Sequence, residues 1–475
     1  MNQKQENLVL LLSLLITVGV IGGGIWWLWS NKQALDISLD GDRPENVSSA
    51  DVSAVDVATA SDLQPSTGAK ILFPQALTPE REAAAKAISN QNYSEAVSLL
   101  EQSLNKQRND PEGLIYLNNA RIGINQAHSI AVSVPIGTEQ STAQEILRGV
   151  AQAQSEINQQ GGINGVPLKV VIVNDDNDSQ AAAQVAQELV KDPEILGVVG
   201  HFSSGVTLAT APIYQQNQLV AISPTSTSVA ISSQGDYIFR TVPSDRFTSN
   251  ALAKYFLNQL QLQQAMIVYN SQSAYSRSLQ ETFTTEIVSN GGEIVSEVDL
   301  SNNNFNPAAI LKDAQAQGVQ ALVFLNDSTT ISKAYLLMQL NNRQLPLLAG
   351  DSLYKPQTLE IGGEKAVGLV LAVPWHALSG VNPEFSAAAR RLWGGNVSWR
   401  TAMTYDASKT LIAGLTNAPS RTGVQKALSQ SGFNLSGATG TIKFLKSGDR
   451  NGAVQLVEVQ PGKLSSYGYD FIPLK

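Results

Sequence analysis

The sequence predicts an α/β fold with parallel sheets, preceded by a transmembrane helix and a short all-α segment. Three observations support this prediction. From His128 onward, short apolar runs alternate with helical periodicity, residues 71–126 show helical periods alone, and residues 7–30 carry no charge. Repeated alternation of strand and helix patterns indicates parallel sheets with helices on both faces. Because the alternating part is longer than one such sheet usually needs, we expect two lobes.

The composition excludes several classes of function. The chain has 475 residues, of which 43% are hydrophobic and 15% charged, and its net charge is −8. No cluster of basic residues is present, so nucleic acid is not an expected partner. There is no cysteine, and the three histidines lie far apart in no recognisable motif. We therefore predict no disulfide, no metal site and no cofactor.

The N-terminus reads as a membrane anchor. As a helix, residues 7–30 would be roughly 36 Å long, enough to cross a ~30 Å hydrocarbon core. The run ends in Trp26, Trp27 and Trp29, which suit a membrane–water interface and not a cleavage site of small residues. We predict an uncleaved single-pass anchor over residues 1–31 in the cell (inner) membrane, with the globular part extracytoplasmic or periplasmic. Positive charges lie on both sides of the predicted membrane span, so the sequence leaves the orientation of the span in the membrane open.

Two segments separate the anchor from the α/β part. Residues 32–70 are acidic and lack aromatic side chains, which predicts a flexible linker. In residues 71–126, Thr78, Pro79 and Glu80 form a helix-start signal. The following stretch around Tyr93 and Ala96 resembles a tetratricopeptide repeat. Since so few repeats bury little core alone, a helical stalk packed on the next domain is an equal alternative.

Hydroxyl side chains follow two neighbouring apolar runs. Ser203 and Ser204 come after residues 195–200, and Thr225 and Thr227 come after residues 219–222. Parallel strands that end in such loops would place N–H and hydroxyl donors on one rim of a sheet. Open α/β sheets bind ligands at that rim, and helix N-termini there favour anions. A carboxylate site is one interpretation, and ordinary helix capping is the other.

A set of motifs in fixed order extends this pattern. GVAQAQSEINQQGGINGVPLKVVIVNDDND, GHFSSGVT, ISPTST, FRTVPSD, LAGDS and VPW occur in that sequence from Gly149 onward. From His128 to the C-terminus the chain resembles the branched-chain amino acid type of ABC-transporter solute-binding protein, which has the type 1 periplasmic-binding fold. The resemblance implies a two-lobed ligand-binding domain over residues 127–475. Lobe 1 would comprise about 127–245 and 377–447, and lobe 2 about 246–376 and 448–475.

The resemblance assigns six residues to the ligand: Ser204, Thr225, Thr227, Asp245, Tyr275 and Asp351. Hydroxyl and N–H groups at the first three would hold an α-carboxylate, and Asp351 would pair with an α-ammonium. Asp245 and Tyr275 would help to close the site. From the residues alone, Asp351 could instead cap a helix, Asp245 could cap the helix expected near Thr248, and Tyr275 could pack on the surface.

Four further residues are candidates for the cleft: Ser203, His201, Asn326 and Trp375. The sequence also departs from the family pattern at two places. Residues 136–149 lack its usual Ser-Gly and aromatic residues, and residues 325–329 carry Asn326 and Asp327 where aromatic side chains are common. We therefore expect a more polar pocket than that of leucine-binding relatives, and the ligand's side chain stays open.

These observations predict a membrane-anchored extracytoplasmic solute-binding protein. It would clamp an amino acid or similar small zwitterion between two lobes for uptake through an ABC-transporter permease. A ligand-sensing receptor or scaffold, whose helical segment docks a protein partner, is the alternative. No nucleophile–base pair or metal motif is evident in the sequence, so we predict that the protein is not an enzyme.

Overall fold

The computed structural model describes residues 65–74 and 77–474. The predicted anchor and nearly all of the predicted linker lie outside these residues. Within the described ranges, no helix combines the length and the apolar character that a membrane crossing requires.

Three helices open the described chain: α1 (Pro79–Ser89), α2 (Tyr93–Lys106) and α3 (Pro111–Ile122). The predicted start signal is confirmed, because the Thr78 side chain accepts a hydrogen bond from the Arg81 N–H and Pro79 is the first helical residue. Arg81 is buried and forms ion pairs with Asp110, at 3.1 Å, and with Glu112. Burying these charges together joins α1 to the start of α3.

The third helix attaches this segment to the first sheet. Asn119 donates a hydrogen bond to the Val170 carbonyl over 2.8 Å and accepts one from the Val170 N–H over 3.1 Å. Ser66 exchanges two backbone hydrogen bonds with Ile172 on the same edge strand. The segment is therefore packed on the following domain, as one of the two sequence alternatives expects, and it covers a sheet edge that would otherwise be open.

The first sheet has five parallel strands in the order β2-β1-β3-β4-β5. The strands are β1 (His128–Val134), β2 (Leu168–Asn174), β3 (Ile195–Val199), β4 (Ala221–Ser223) and β5 (Ile238–Arg240). The helices that connect them are α4 (Gln140–Gln159), α5 (Ser179–Lys191) and α6 (Ser204–Gln216). Nearly every strand residue is buried, because helices cover both faces of a parallel sheet.

The second sheet has seven strands in the order β14-β13-β10-β9-β8-β6-β7, in which β13 runs antiparallel to both of its neighbours and the other six strands share one direction. Its strands are β6 (Gln264–Tyr269), β7 (Glu293–Asp299), β8 (Ala321–Phe324), β9 (Leu347–Ala349), β10 (Val370–Val373), β13 (Gln455–Pro461) and β14 (Tyr469–Pro473). Its helices are α7 (Asp245–Lys254), α8 (Ala274–Ser289), α9 (Pro307–Ala316), α10 (Ile331–Asn341) and α11 (Pro356–Gly362).

The remaining elements are α12 (Pro383–Trp393), α13 (Trp399–Asn417), α14 (Arg421–Leu428), and a hairpin of β11 (Leu435–Gly437) and β12 (Gly440–Ile442). Helix α13 packs along α4 and against β3 and β4, so this part of the chain belongs to the first lobe. The chain thus crosses between the sheets three times: after Arg240, after Val373 and before Gln455. Two parallel-stranded lobes joined by several crossovers confirm the predicted α/β architecture. The residue limits predicted for each lobe remain a proposal.

Candidate ligand-binding site

A cavity of about 70 Å³ lies between the two lobes. The first lobe lines it with Asn177, Phe202, Ser203, Ser204, Thr225, Trp399 and Arg400, and the second with Ser273, Tyr275, Asp327, Ser328, Asp351, Ser352 and Lys355. Five residues predicted from the sequence are among them: Ser203, Ser204, Thr225, Tyr275 and Asp351. A larger cleft of about 250 Å³ near His376 contains none of the predicted residues.

The first hydroxyl loop connects β3 to α6. Gly200 has φ +148°, and a side chain there would place its Cβ 3.0 Å from the Ser133 carbonyl oxygen, so only glycine suits this turn. Ser203 stands before the helix, yet within the described residues its side chain makes no capping hydrogen bond. The Ser204 hydroxyl accepts a hydrogen bond of 3.2 Å from the N–H of Ser228. Helix capping is therefore not the role of these two hydroxyls.

The second hydroxyl loop follows β4 and is bonded to the first. Ser223 donates a hydrogen bond to the His201 carbonyl over 2.8 Å, and Thr225 donates one to the Phe202 carbonyl over 2.7 Å. These bonds satisfy carbonyl groups at the end of the neighbouring loop and hold the two loops side by side. The two loops thus lie together at one rim of the sheet, as the sequence predicts.

Arg240, at the end of β5, holds the second hydroxyl loop in place. The side chain is fully buried and donates a hydrogen bond of 2.8 Å to the Ser228 carbonyl. Its Nε lies 2.7 Å from Oδ1 of Asp449, on the chain segment that crosses to the second lobe. A buried guanidinium needs both a carboxylate and carbonyl acceptors to be stable, and this one has them. Arg240 therefore links the hydroxyl loop to the third crossover.

Asp351 faces the hydroxyl loops from the second lobe. It follows β9 and Gly350, and its Oδ1 accepts a hydrogen bond of 2.7 Å from the Tyr275 hydroxyl. A side chain at Gly350 would place its Cβ 2.6 Å from that hydroxyl, so glycine makes the approach possible. Burial raises the pKa of Asp351, whereas the Tyr275 hydrogen bond and the Arg400 charge partly oppose the rise. Capping for Asp351 and surface packing for Tyr275 are therefore both ruled out.

Asp245 is a buried carboxyl immediately behind this pair. It is the first residue of α7, and the capping position belongs to Ser244, so the capping alternative is wrong. Only 1% of Asp245 is exposed, and neither carboxyl oxygen has a hydrogen bond of ordinary geometry to any described residue. Burial raises the pKa of Asp245 to about 7, and the nearby charge of Asp351 adds to the rise. The hydroxyls of Ser278 and Thr227 lower it in part.

His201 does not border the cavity, which corrects its place among the candidates. Its ring is buried behind the first loop, with Nδ1 2.6 Å from the Asp175 carboxylate and Nε2 2.9 Å from the Tyr214 hydroxyl. The His201 charge and hydrogen bond lower the pKa of Asp175 although burial opposes them. The His201 ring points away from the cavity because the buried Asp175 carboxylate requires hydrogen-bond donors.

Three other candidates are also absent from the described residues that border the cavity. The Thr227 hydroxyl is buried beside Asp245, and Asn326 is buried with its amide nitrogen donating to the Asp327 carbonyl over 2.9 Å. The Trp375 ring packs edge-on against Phe385, at 5.9 Å between centroids. Of the two polar residues expected at residues 325–329, Asp327 lines the cavity and Asn326 does not. The expected polar wall is therefore present through Asp327.

Sequence reasoning missed Trp399 and Arg400 at the start of α13. Both line the cavity and are almost fully buried, and the Arg400 guanidinium lies 4.5 Å from the Trp399 ring centroid. Arg400 also donates hydrogen bonds to the carbonyls of Tyr354 and Asp351 in the opposite lobe. An adjacent Trp and Arg at the start of a helix do not form a sequence motif, so the sequence does not predict that they lie close to Asp351.

A second missed contact connects the lobes at the rim of the cavity. Lys355 Nζ lies 3.0 Å from the Glu139 carboxylate, which belongs to the loop that the sequence showed as divergent. The Val229 N–H also donates a hydrogen bond to the hydroxyl of Ser278 across the cleft over 3.0 Å. The lobes are therefore in contact beside the cavity. Among the described residues, no group of three or more His, Asp or Glu side chains is arranged to hold a metal ion.

Residues 129–463 match a family model described as periplasmic binding protein. The chain belongs to the periplasmic binding protein family. This membership agrees with two lobes, three crossovers of the chain between them and a cavity that both lobes line.

Relatives of this periplasmic binding protein include two curated proteins named for amino acids. An "Amino acid binding protein" of Pseudomonas aeruginosa is 26% identical over 40% of this chain, which spans half of that relative's length. "Leu/Ile/Val-binding protein homolog 3" of Brucella melitensis is 24% identical over 68% of this chain and 88% of its own length.

A solved structure shows the same fold. The branched-chain amino acid transporter substrate-binding protein LivJ of Streptococcus pneumoniae, in complex with isoleucine, has a TM-score of 0.66 to this periplasmic binding protein. The match covers 74% of this chain and all of that one, at 19% sequence identity. The comparison therefore supports the type 1 periplasmic-binding fold predicted from the collinear motifs.

Proposed function

We propose that the protein is an extracytoplasmic solute-binding protein that encloses an amino acid, or a similar small zwitterion, and delivers it to an ABC-transporter permease. One observation carries the proposal: the cavity has hydroxyl donors of the first lobe on one wall and the Asp351 carboxylate of the second lobe on another. A zwitterion needs donors for its carboxylate and an acceptor for its ammonium. Burying either charge without a partner would cost several kcal/mol.

Each residue then has a defined role. Ser204 and the first N–H groups of α6 hold the α-carboxylate, since the first N–H groups of a helix have no partner within it, and Thr225 keeps the neighbouring loop in place through its hydrogen bond to the Phe202 carbonyl. Asp351 pairs with the α-ammonium, and the Tyr275 hydroxyl keeps that carboxylate in place. Asp245 and Thr227 support the pair from behind and do not touch the ligand directly.

The names of the curated relatives agree with this role. They are called amino acid binding and Leu/Ile/Val-binding proteins, and the structural relative is described as a transporter substrate-binding protein in complex with isoleucine. Their shared fold supports an extracytoplasmic clamp that works with a permease and carries out no chemical reaction. We extend the proposal to a single-pass anchor over residues 1–31, because residues 7–30 are uncharged and long enough to span a membrane.

Calorimetry on the full chain tests the proposal. The protein is purified in detergent, stripped of endogenous ligand by unfolding and refolding, and titrated with the standard amino acids. At least one amino acid is expected to bind. Asp351→Asn should weaken that binding by about 2 kcal/mol or more, because the ligand's ammonium loses its charged partner. Asp313→Asn, an exposed carboxylate on the same lobe, is the matched control and should leave affinity unchanged. No binding across the panel by a folded protein would contradict the proposal.

A ligand-sensing receptor or scaffold is the second candidate, and one observation favours it. The helical segment presents an open groove bordered by Tyr93, Val97 and Ile124, and 82% of the Ile124 side chain is exposed. Its resemblance to a tetratricopeptide repeat would suit the docking of a protein. Affinity capture with the full chain and with Ile124→Asp separates the two candidates. Loss of a signalling protein in the variant supports sensing, and unchanged recovery of permease subunits supports transport.

A further inference from the structure

Three polar atoms of cavity-lining residues lack a hydrogen-bond partner among the described residues. They are Oδ1 of Asn177, Nε1 of Trp399 and Nε of Arg400. Trp399 is only 2% exposed and Arg400 only 3%, so bulk water does not satisfy these donors. Each unsatisfied buried polar group costs about 1–3 kcal/mol. The wall formed by these three residues, here called the amide wall, thus carries two donors and one acceptor that are unpaired beside the cavity.

The charges around the amide wall are already balanced by carboxylates. Arg400 Nη1 lies 3.3 Å from the Glu145 carboxylate, and Lys355 is paired with Glu139. Asp327 also lines the cavity, where it accepts a hydrogen bond of 3.0 Å from Asn270. With both lining cations paired and a further carboxylate present, a second negative charge on the ligand would be repelled. The part of the ligand that faces the amide wall is therefore expected to be neutral and able both to accept and to donate hydrogen bonds.

We propose that the cavity selects an amino acid whose side chain ends in a carboxamide, an inference that rests on the amino-acid function proposed above. The carboxamide oxygen accepts hydrogen bonds from Trp399 Nε1 and Arg400 Nε, and its nitrogen donates to Asn177 Oδ1. The cavity volume is only about 70 Å³. That space suits a compact amino acid of the size of asparagine.

Leucine and asparagine are an informative pair of ligands to compare, because their side chains have nearly the same shape. Leucine would fill the same space and leave all three atoms of the amide wall unpaired. Sites built to hydrogen-bond a ligand reject the analogue that lacks the group by large factors, up to about 10⁴–10⁵. Aspartate has the same shape again but adds a charge beside Asp327, so it should bind less well than asparagine.

The experiment titrates the stripped full chain with asparagine, glutamine, aspartate and leucine. A carboxamide amino acid is expected to bind at least about 100-fold more tightly than leucine, given the number of groups that leucine leaves unpaired. Trp399→Phe keeps the ring and removes one donor, so it should weaken carboxamide binding about tenfold and leave leucine binding equal or tighter. Trp393→Phe is the matched control, because Trp393 is also buried with an unpartnered Nε1 but does not line the cavity.

Each outcome decides a separate point. Tightest binding of leucine, aspartate or any amino acid without a carboxamide overturns this inference and leaves the proposed function standing. Absence of binding by every amino acid overturns the proposed function as well. If Trp399→Phe does not fold, Arg400→Lys keeps the positive charge while removing Nε, and it should show the same selective loss of carboxamide binding.

Discussion

The Tyr275 hydroxyl and the Asp351 carboxylate form a buried hydrogen bond of 2.7 Å at the second-lobe wall of the cavity. Burial raises the pKa of Tyr275 well above its usual value, and the charges of Asp351 and Asp245 raise it further. The tyrosine therefore stays a donor at every physiological pH. Because this donor lowers the pKa of Asp351 against the effect of burial, it keeps the carboxylate available to a cationic group.

Tyr275→Phe should weaken amino acid binding about fivefold to tenfold, since a hydrogen bond to a charged group contributes about 1.5–3 kcal/mol and part of that loss is offset by water. The effect should be smaller than that of Asp351→Asn, which removes the charge itself. Tyr335→Phe is the control, because the Tyr335 hydroxyl is hydrogen-bonded to Thr358 in the same lobe, outside the cavity. Calorimetry at constant pH measures all three. Equal dissociation constants for Tyr275→Phe and the unmodified protein would show that the bond has no part in binding.

Asp245 should make the stability of the ligand-free protein depend on pH. Its pKa rises from 3.8 to about 7 on folding, so the folded state holds the proton more tightly than the unfolded state. The stabilisation is complete below about pH 4 and is lost as the pH rises through 7, by an amount on the order of 4 kcal/mol. The charged groups nearest this carboxyl are Asp351, which raises its pKa, and Arg240, which lowers it.

Asp245→Asn mimics the protonated form and should remove this decline. Denaturant unfolding of both proteins at pH 4, 6 and 8 measures it, with Asp313→Asn as an exposed control. The variant should gain stability relative to the unmodified protein as the pH rises. Parallel pH profiles for the two proteins would mean that Asp245 does not titrate in this range.

The ion pair of Lys355 and Glu139 should favour the closed arrangement of the lobes. Both side chains are largely buried, at 14% and 17% exposure, and the pair spans the cleft. Burial opposes ionisation of Glu139, but the Lys355 charge and hydrogen bonds outweigh it and lower the pKa of Glu139. Lys355→Gln should therefore weaken ligand binding about threefold, mainly through faster release.

Small-angle X-ray scattering of the ligand-free protein gives an independent readout of closure. Lys355→Gln should increase the radius of gyration, whereas Lys312→Gln, at an exposed position of the same lobe, should not. A variant that binds more weakly with an unchanged radius of gyration would assign Lys355 to the ligand alone.

Asn119 should connect the stability of the helical segment to that of the first lobe. Asn119→Ala leaves the N–H and C=O groups of Val170 without their side-chain partner, at a cost of about 3 kcal/mol in the free energy of unfolding. Asn125→Ala is the control, because within the described part of the chain the Asn125 amide bonds only to the Ile122 carbonyl, at the end of the same helix. Denaturant unfolding should show one shifted transition. A separate early transition would mean that the helical segment unfolds independently.

Prediction from sequence succeeded where the signal is local or ordered along the chain. The helix start at Thr78 and the apolar runs that end at Gly200 and Ile222, each within one residue of an observed strand end, depend on short local patterns. The facing of Asp351 and Ser204 follows from the family resemblance of motifs in a fixed order. Prediction failed for His201 and Trp375. Both follow strand ends, and the direction in which such a side chain turns depends on its surroundings. For His201 the deciding neighbour is the buried carboxylate of Asp175, far away in the sequence.

The sequence by itself determined the fold class and the two hydroxyl loops, because periodicity and turn residues act over a few positions, and the family resemblance of the ordered motifs supplied the acidic residue opposite those loops. Only the tertiary structure decided how the α-helical segment seals the edge of β2, and which charges meet across the cleft. It also revealed the amide wall, since Asn177 lies far along the chain from the adjacent residues Trp399 and Arg400 and shares no motif with them. Their common property is a buried polar atom without a partner, and burial is created only when distant parts of the chain pack together.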